Sequence, residues 1–516
     1  MPEGLVWLAP ALPFMAALWI GIGYAAGSNR GETGERRTVI AGTLGAGGAL
    51  LVLLAIGLRA LSDGTPGQVA LAPWLVSGSY RVWLSFTLDA LALGLGALVA
   101  LIGFLALRFA ARYMHREPGF QRFFAVLSLF VAAMLLIVLA GNPVLAFVGW
   151  ELAGVSSYLL IGYAHDRPVA TGNAVRVFVT NRVGDAGFVL GIFLSFFLVG
   201  DLEWPALLAG TAALDRLGVG FVLAGFLLAA MAKSALVPFA PWIARALEGP
   251  TPSSAVFYGA LMVHAGVFLA LRLAPAFAHA PVLMALLAFF GLLTALYGLL
   301  GGLTQTDVKS ALVFSTTGQV GLMFFAIGMG WTTLAAWHLA AHALFRAWQF
   351  LASPQLLQRV TAPTRPAPAW LARSRRLYTA SLQRFWLDPL TDVLLVQPTQ
   401  GIARDVSRFD EQIVERLAGR PGQDGGITSL AQFESQRRTG AAGAMAMRGR
   451  GVAGRLVAWL ADALAWLEER LVLQAGGGGV RERLLSAARV LLRIDELLAQ
   501  PRYLMLMIMA TFVVIL

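Results

Sequence analysis

Eleven apolar runs of spanning length set the terms for this chain, near residues 5–26, 38–60, 85–107, 121–141, 144–164, 174–200, 217–238, 254–274, 281–303, 309–329 and 332–352. Each is long enough to cross, as a helix, a hydrocarbon layer roughly 30 Å thick. A segment in lipid must pair its own backbone polar groups, and runs of about 20 apolar residues do so as helices. Composition closes off the soluble alternative: of 516 residues, 58% are hydrophobic and only 13% charged, too few charges to cover a soluble surface. The expected fold is therefore an all-α polytopic membrane protein, a bundle of about 11 transmembrane helices. Met1 to Ile20 lacks a basic start and a small-residue cleavage site, so a retained first helix is expected rather than a signal peptide. With no cysteine, the chain offers no disulfide, thiolate zinc site or iron–sulfur cluster.

The connections give an orientation. Arg30, Arg36 and Arg37 follow the first run, Arg108, Arg112 and Arg116 the third, Arg167 the fifth and Arg245 the seventh; an arginine-rich stretch follows the last. All fall at one end of the bundle, which the positive-inside rule places in the cytoplasm, leaving the N-terminus outside. After Ser353 the pattern changes to Pro-, Arg- and Gly-rich stretches (TAPTRPAPAW, GRPGQDGG, QAGGGG) between amphipathic pieces, one of them Val452 to Leu473. The expected organisation is 1–84 N-terminal transmembrane helices, 85–352 a translocating core, 353–502 a cytoplasmic or interfacial docking segment, and 503–516 a short membrane helix or anchor.

Within this apolar background the ionisable residues are costly, each roughly 2.5–3.5 kcal/mol or more at bilayer depth, and so point to function. Glu151 falls in the middle of the span 144–164. Arg182 and Asp185 are three apart and share a helix face, as a relay pair or a neutralised structural pair. Lys233 falls mid-span in GFLLAAMAKSALVPFAPW, with Pro238 and Pro241 ending or breaking its helix. Of the 39 basic residues only Lys233 and Lys309 are lysines, and lysine, unlike arginine, can give up its proton. Tyr258 and His264 share the span 254–274; Asp307 and Lys309 open the next but one, where Asp307 is a capping or a functional residue. His338, His342 and Arg346, four apart, form one polar stripe. His338 and His342 could hold a metal, but no third ligand lies nearby, so no metal and no cofactor is assigned to this chain. Glycines such as Gly103, Gly149 and Gly154 read as close-packing positions. A row of titratable groups through a membrane is what proton transfer requires, so the residues point to a proton-translocating channel or transporter.

The segments FQRFFAVLSLF, NPVLAFVGWELAGVSSYLLIG, NRVGD, AKSALVPFAPW, EGPTPSSA, QTDVKSALVFSTTGQVG and HLAAHALFRAWQFL resemble the antiporter-like subunits of respiratory complex I and of multisubunit Na⁺/H⁺ antiporters. That resemblance implies an antiporter-like helix bundle with a broken seventh helix. It implies a relay of Glu151, Lys233, His338 and His342, supported by the Arg182–Asp185 pair. Two departures stand out: Tyr258 replaces a histidine after GPTP, with His264 further along, and Arg346 stands where the family usually has lysine. With the change in character after residue 353, this pattern resembles the membrane subunit of the two-subunit DAB inorganic carbon accumulation complex. The likeness implies a subunit of a bacterial inner membrane that conducts H⁺ or Na⁺, itself not an enzyme. It would drive a large soluble carbonic-anhydrase-like zinc partner docked on 353–502, with lipid as its other partner and no nucleic acid. The alternative is a proton-pumping subunit of complex I or of an Na⁺/H⁺ antiporter.

Overall fold

A computed structural model describes residues 2–77, 80–260, 262–359, 366–409 and Trp459. Two long helices, α1 (Leu8–Ala25) and α2 (Gly31–Asp63), lead into a hairpin of β1 (Gly67–Ser77) and β2 (Tyr80–Leu88). Then follow α3 (Ala90–Tyr113), α4 (Phe120–Leu139), α5 (Pro143–Ile161), α6 (Pro168–Val199), the short α7 (Trp204–Ala213) and α8 (Arg216–Lys233). After a break come α9 (Pro241–Arg245), α10 (Thr251–Ser254), a π-helical turn (Ala255–Ala260), α11 (Met262–Arg272) and α12 (Ala274–Phe277). The bundle closes with α13 (Pro281–Gly302), α14 (Val308–Gly328) and α15 (Thr332–Arg359). Ten of these segments are long and apolar enough to cross a membrane, and α15 is a helix where the eleventh run predicts one. The chain is a multi-pass membrane protein. Its outer rim carries bare apolar side chains such as Phe197, Leu58 and Phe221, which suit lipid. The segment Thr251–Arg272 runs through the interior and is the most buried of the spans.

The break after α8 differs from the sequence expectation. Lys233 is the last residue of α8, not its midpoint, and the helix stops before Pro238. A left-handed residue, Ala235 at φ 54°, turns the chain, and Leu236 N–H donates to Met231 O at 2.9 Å across the turn. This is the closure that usually takes glycine, so alanine here holds backbone strain. The freed carbonyls are answered locally: Ser234 N–H donates to Ala230 O at 3.0 Å and Trp242 Nε1–H to Ala232 O at 2.8 Å. Pro241 then starts α9, where a missing N–H costs nothing. A cation at a helix C-terminus sits favourably against the carbonyl end of the dipole, and Lys233 occupies that place.

The hairpin is a second difference, since the sequence reading expects no element between the spans 38–60 and 85–107. Its strands pair antiparallel from Gly67↔Leu88 to Ser77↔Tyr80, with irregular register on either side of Pro73. Its foot is pinned by Glu203, from the loop before α7. That carboxylate accepts from Asn142 Nδ2 at 2.9 Å, Ser85 Oγ at 2.6 Å and Gln68 Nε2.

Beyond α15 the chain forms short helices: α16 (Ala369–Arg373), α17 (Arg375–Leu382) and α18 (Leu387–Thr391). Within the segment 353–502, expected to be a docking segment, this part packs on the bundle: Ser381 Oγ donates to Leu300 O at 2.6 Å, on α13. Gln397 begins a second unit, of which α19 (Gln397–Phe409) and Trp459 are described. The rest of the amphipathic piece 452–473 and the anchor 503–516 lie outside the described residues.

Candidate functional site

Three helices carry the first cluster. Small residues let α6 and α8 approach closely: Gly184 lies against Ala232, and a Cβ on Gly187 would sit 2.8 Å from Gly225 O. That contact brings the buried Asp185 beside the buried Lys233, with Nζ 3.9 Å from Oδ1. Arg182 Nη2 lies 2.8 Å from Asp185 Oδ2, and its Nη1 pairs with Glu151 Oε2 from α5. The order is Glu151, Arg182, Asp185, Lys233: acid, base, acid, base. Alternation lets each charge offset its neighbour in a region where an isolated one would be costly.

Two residues outside the expected relay complete the cluster. Trp150 donates Nε1–H to Asp185 Oδ1 at 2.7 Å, and its carbonyl accepts from Lys233 Nζ at 3.3 Å. Lys233 Nζ also lies 4.8 Å from the centre of the Trp150 ring, a cation–π arrangement. Gly154, read from sequence as a helix-packing residue, makes room for the cations: a Cβ there would stand 2.7 Å from Arg182 Nη2 and 3.7 Å from Lys233 Nζ. The signal for both was position, one residue before Glu151 and three after it on the same helix.

The second cluster lies where α11, α14 and α15 meet. His264 Nε2 is 3.0 Å from His342 Nδ1, so the histidine displaced along the chain is brought onto the α15 stripe. Arg346 Nε–H donates to His342 Nε2 at 3.3 Å, and its Nη2–H to Ser315 Oγ at 2.8 Å. His338, further along the stripe, is paired with Gln319 Oε1 at 2.8 Å. Arginine is a permanent donor, so His342 Nε2 accepts, and in the neutral ring the proton sits on Nδ1, facing His264. His264 then accepts at Nε2 and carries its proton on Nδ1, a buried atom with no partner among the described residues. Ser234 Oγ, next to Lys233, is likewise buried and without a partner there. Gly266 of α11 packs directly against that hydroxyl, so α11 joins the two clusters.

The other expected site residues play local parts. Tyr258 OH donates to Ile243 O at 2.7 Å and its ring stacks on Phe350. Asp307 caps α14 by accepting from Ser310 N–H at 2.9 Å. Lys309 Nζ donates to Thr251 Oγ1 at 2.8 Å at the mouth of the buried span. Pro238 and Pro241 lie in the break and at its far side. Among the described residues no group of three or more His, Asp or Glu could hold a metal ion.

Comparisons with known proteins bear on the same region. Residues 140–377 match the family described as NADH:quinone oxidoreductase/Mrp antiporter, TM, and residues 74–124 that described as NADH-Ubiquinone oxidoreductase (complex I), chain 5 N-terminus. NAD(P)H-quinone oxidoreductase chain 5 of Synechocystis sp. is 35% identical over 359 residues, covering 68% of this chain and 53% of that protein. NADH-quinone oxidoreductase subunit L of Mycobacterium tuberculosis is 38% identical over 356 residues, covering 67% and 54%. The chain thus spans about half the length of the curated relatives it matches. In fold it is similar to a chain of the Mrp complex from Dietzia sp. (TM-score 0.60, 21% identity, 91% of this chain and 63% of that). A chain of respiratory complex I from Thermus thermophilus is similar too (TM-score 0.58, 23% identity, 70% and 73%).

Proposed function

From the premise that residues 74–124 and 140–377 match models of the antiporter-like membrane subunits of NADH:quinone oxidoreductase and Mrp antiporters, we propose that this chain translocates protons within a multisubunit membrane complex. The observation that carries the reading is the alternating row Glu151–Arg182–Asp185–Lys233, with a lysine as the one member that is both cationic and able to release its proton.

Arg182 cannot pass a proton on, so the row acts by electrostatics rather than by hopping. With Glu151 ionised, the guanidinium is shared between two carboxylates. Protonation of Glu151 releases Arg182 to Asp185, which weakens the hold of Asp185 on Lys233 and favours proton release from Nζ. The proton then passes Ser234 towards the second cluster, where His264 accepts it only in the tautomer that leaves Nδ1 bare, before handing on to His342. The chain is a transporter subunit, with Na⁺ as the alternative cargo. The arginine-rich end faces the cytoplasm of a bacterial inner membrane. Lys233→Met in the purified complex, reconstituted in vesicles with a pH-sensitive dye inside, should abolish proton flux; undiminished flux overturns the relay.

A second reading is a cation-conducting subunit of an inorganic carbon uptake pump, driving a carbonic-anhydrase-like zinc partner. Support comes from Tyr258, His264 and Arg346, and from the short helices α16–α18 that follow α15 among the described residues. Affinity purification with zinc analysis separates the two: a large zinc protein favours the second reading, quinone-oxidoreductase or antiporter subunits the first.

A further inference from the structure

The run Ser381–Asp392 lies across the arginine-rich end of the bundle, and its ion pairs fall on α6, which carries Arg182 and Asp185, and on α9, which follows the break after Lys233. Asp392 accepts from Arg176 near the start of α6 through both oxygens, Nε–H at 2.9 Å and Nη2–H at 2.8 Å. Asp388 accepts from Arg245, the last residue of α9, through Nε–H at 3.0 Å and Nη2–H at 2.8 Å. A planar fork against a carboxylate fixes direction as well as distance. Between the ion pairs and α13, Phe385 and Leu387 pack on Ala240, Tyr297 and Phe314, so the run covers the break itself. Arg384, Phe385 and Trp386 all have φ between 52° and 55°. Three successive non-glycine residues in the left-handed region persist only where the surroundings hold them. This kink is what turns the chain from α17 into α18 and presents Asp388 to Arg245.

We propose that Asp388 and Asp392 are positioning residues for the translocation site: together they fix α9 against α6, and through the break they set the spacing of Lys233 and Asp185. α6 carries Arg182 and Asp185, and α9 is the half-helix that follows Lys233. Asp388 and Asp392 sit one helical turn apart on a single strained run, so the ends of α6 and α9 are tied to one rigid spacer. Any movement of that spacer moves the break. The functional consequence rests on the proton-translocation reading, but the mechanical one does not.

The test exploits the absence of native cysteine. Ala240 is fully buried under Phe385 and Leu387, so Ala240→Cys introduces a single, shielded thiol. In the whole chain within its membrane complex, adding Asp388→Asn should speed maleimide labelling of that thiol by about tenfold, as a local opening would. Asp388→Asn alone should lower Lys233-dependent proton flux by a similar factor. The charge swap Arg245→Asp with Asp388→Arg should return both readings towards the parent. Asp392→Asn provides an independent arm should Asp388→Asn fail to assemble. Labelling unchanged in both variants overturns the proposal. A parent complex that conducts no protons overturns the functional reading, while the labelling still decides whether the spacer holds the break closed.

Discussion

Lys233 Nζ stands 3.9 Å from Asp185 Oδ1, too far for a hydrogen bond, while donating at 3.3 Å to the carbonyl of Trp150. The lysine is thus held loosely by charge and more closely by a neutral acceptor. A tight ion pair would resist losing its proton; a loose one can be tuned by small movements of Asp185.

Gly154→Ala places a methyl 2.7 Å from Arg182 Nη2. The guanidinium must retreat from Asp185 or from Glu151. Flux should fall about tenfold, on the order of 1.4 kcal/mol in barrier, without loss of the folded bundle. Dye-monitored flux and a thermal-melt comparison check it; an unchanged flux would show that Arg182 tolerates displacement.

Trp150→Phe keeps a ring near Lys233 but removes the donor to Asp185 Oδ1. A hydrogen bond to a charged group contributes roughly 1.5–3 kcal/mol. Asp185 should compensate by drawing Lys233 closer, so stability drops modestly and proton release slows. Stopped-flow flux against melting temperature reads both.

Arg346→Met frees His342 Nε2, which now accepts from a permanent donor. The ring can then take up a proton on that side, and flux through the His264–His342 pair should rise several-fold. The same change in a His342→Phe background should have no effect. A rise in both backgrounds would locate the action of Arg346 elsewhere.

Glu203 lies outside the spans, and burial raises its carboxyl above the ordinary range despite hydrogen bonds from Ser85, Asn142 and Gln68 that pull the other way. A raised acid stabilises the fold while protonated, and that contribution is lost as pH climbs through its folded-state value. Glu203→Gln removes the titration. Melting of the variant should therefore gain on the parent as pH goes from about 4 to about 8, the range either side of a raised carboxyl. A constant offset would show that the carboxylate titrates alike in both states.

The spans were legible because length and apolarity alone define them, and α15 falls on its run although it carries His338, His342 and Arg346. Lys233 was legible as a costly group, but its place at a helix end was not. The prolines at 238 and 241 suggested a later break, and the true turn, at Ala235, lacks the glycine that would announce it. The hairpin escaped because β1 carries Pro73 and irregular register, and so lacks a clean alternation. Asp388 and Asp392 were invisible for another reason: their partners, Arg245 and Arg176, are 143 and 216 residues away, and no local pattern records such a pairing. The histidine cluster was half read. The α15 stripe followed from spacing, but the meeting of His264 with His342 depends on helical phase.

That phase is set by the π-helical turn at Ala255–Ala260. A π turn is what a helix becomes when it absorbs one residue beyond its regular count. One residue is about 100° of rotation, enough to carry everything downstream to a different neighbour. Gain or loss of a single codon here would swing His264 onto or off His342 while leaving every side chain of the axis unchanged. The interior span is thereby an evolutionary selector: related chains can rewire which imidazole joins the row by indel rather than by substitution.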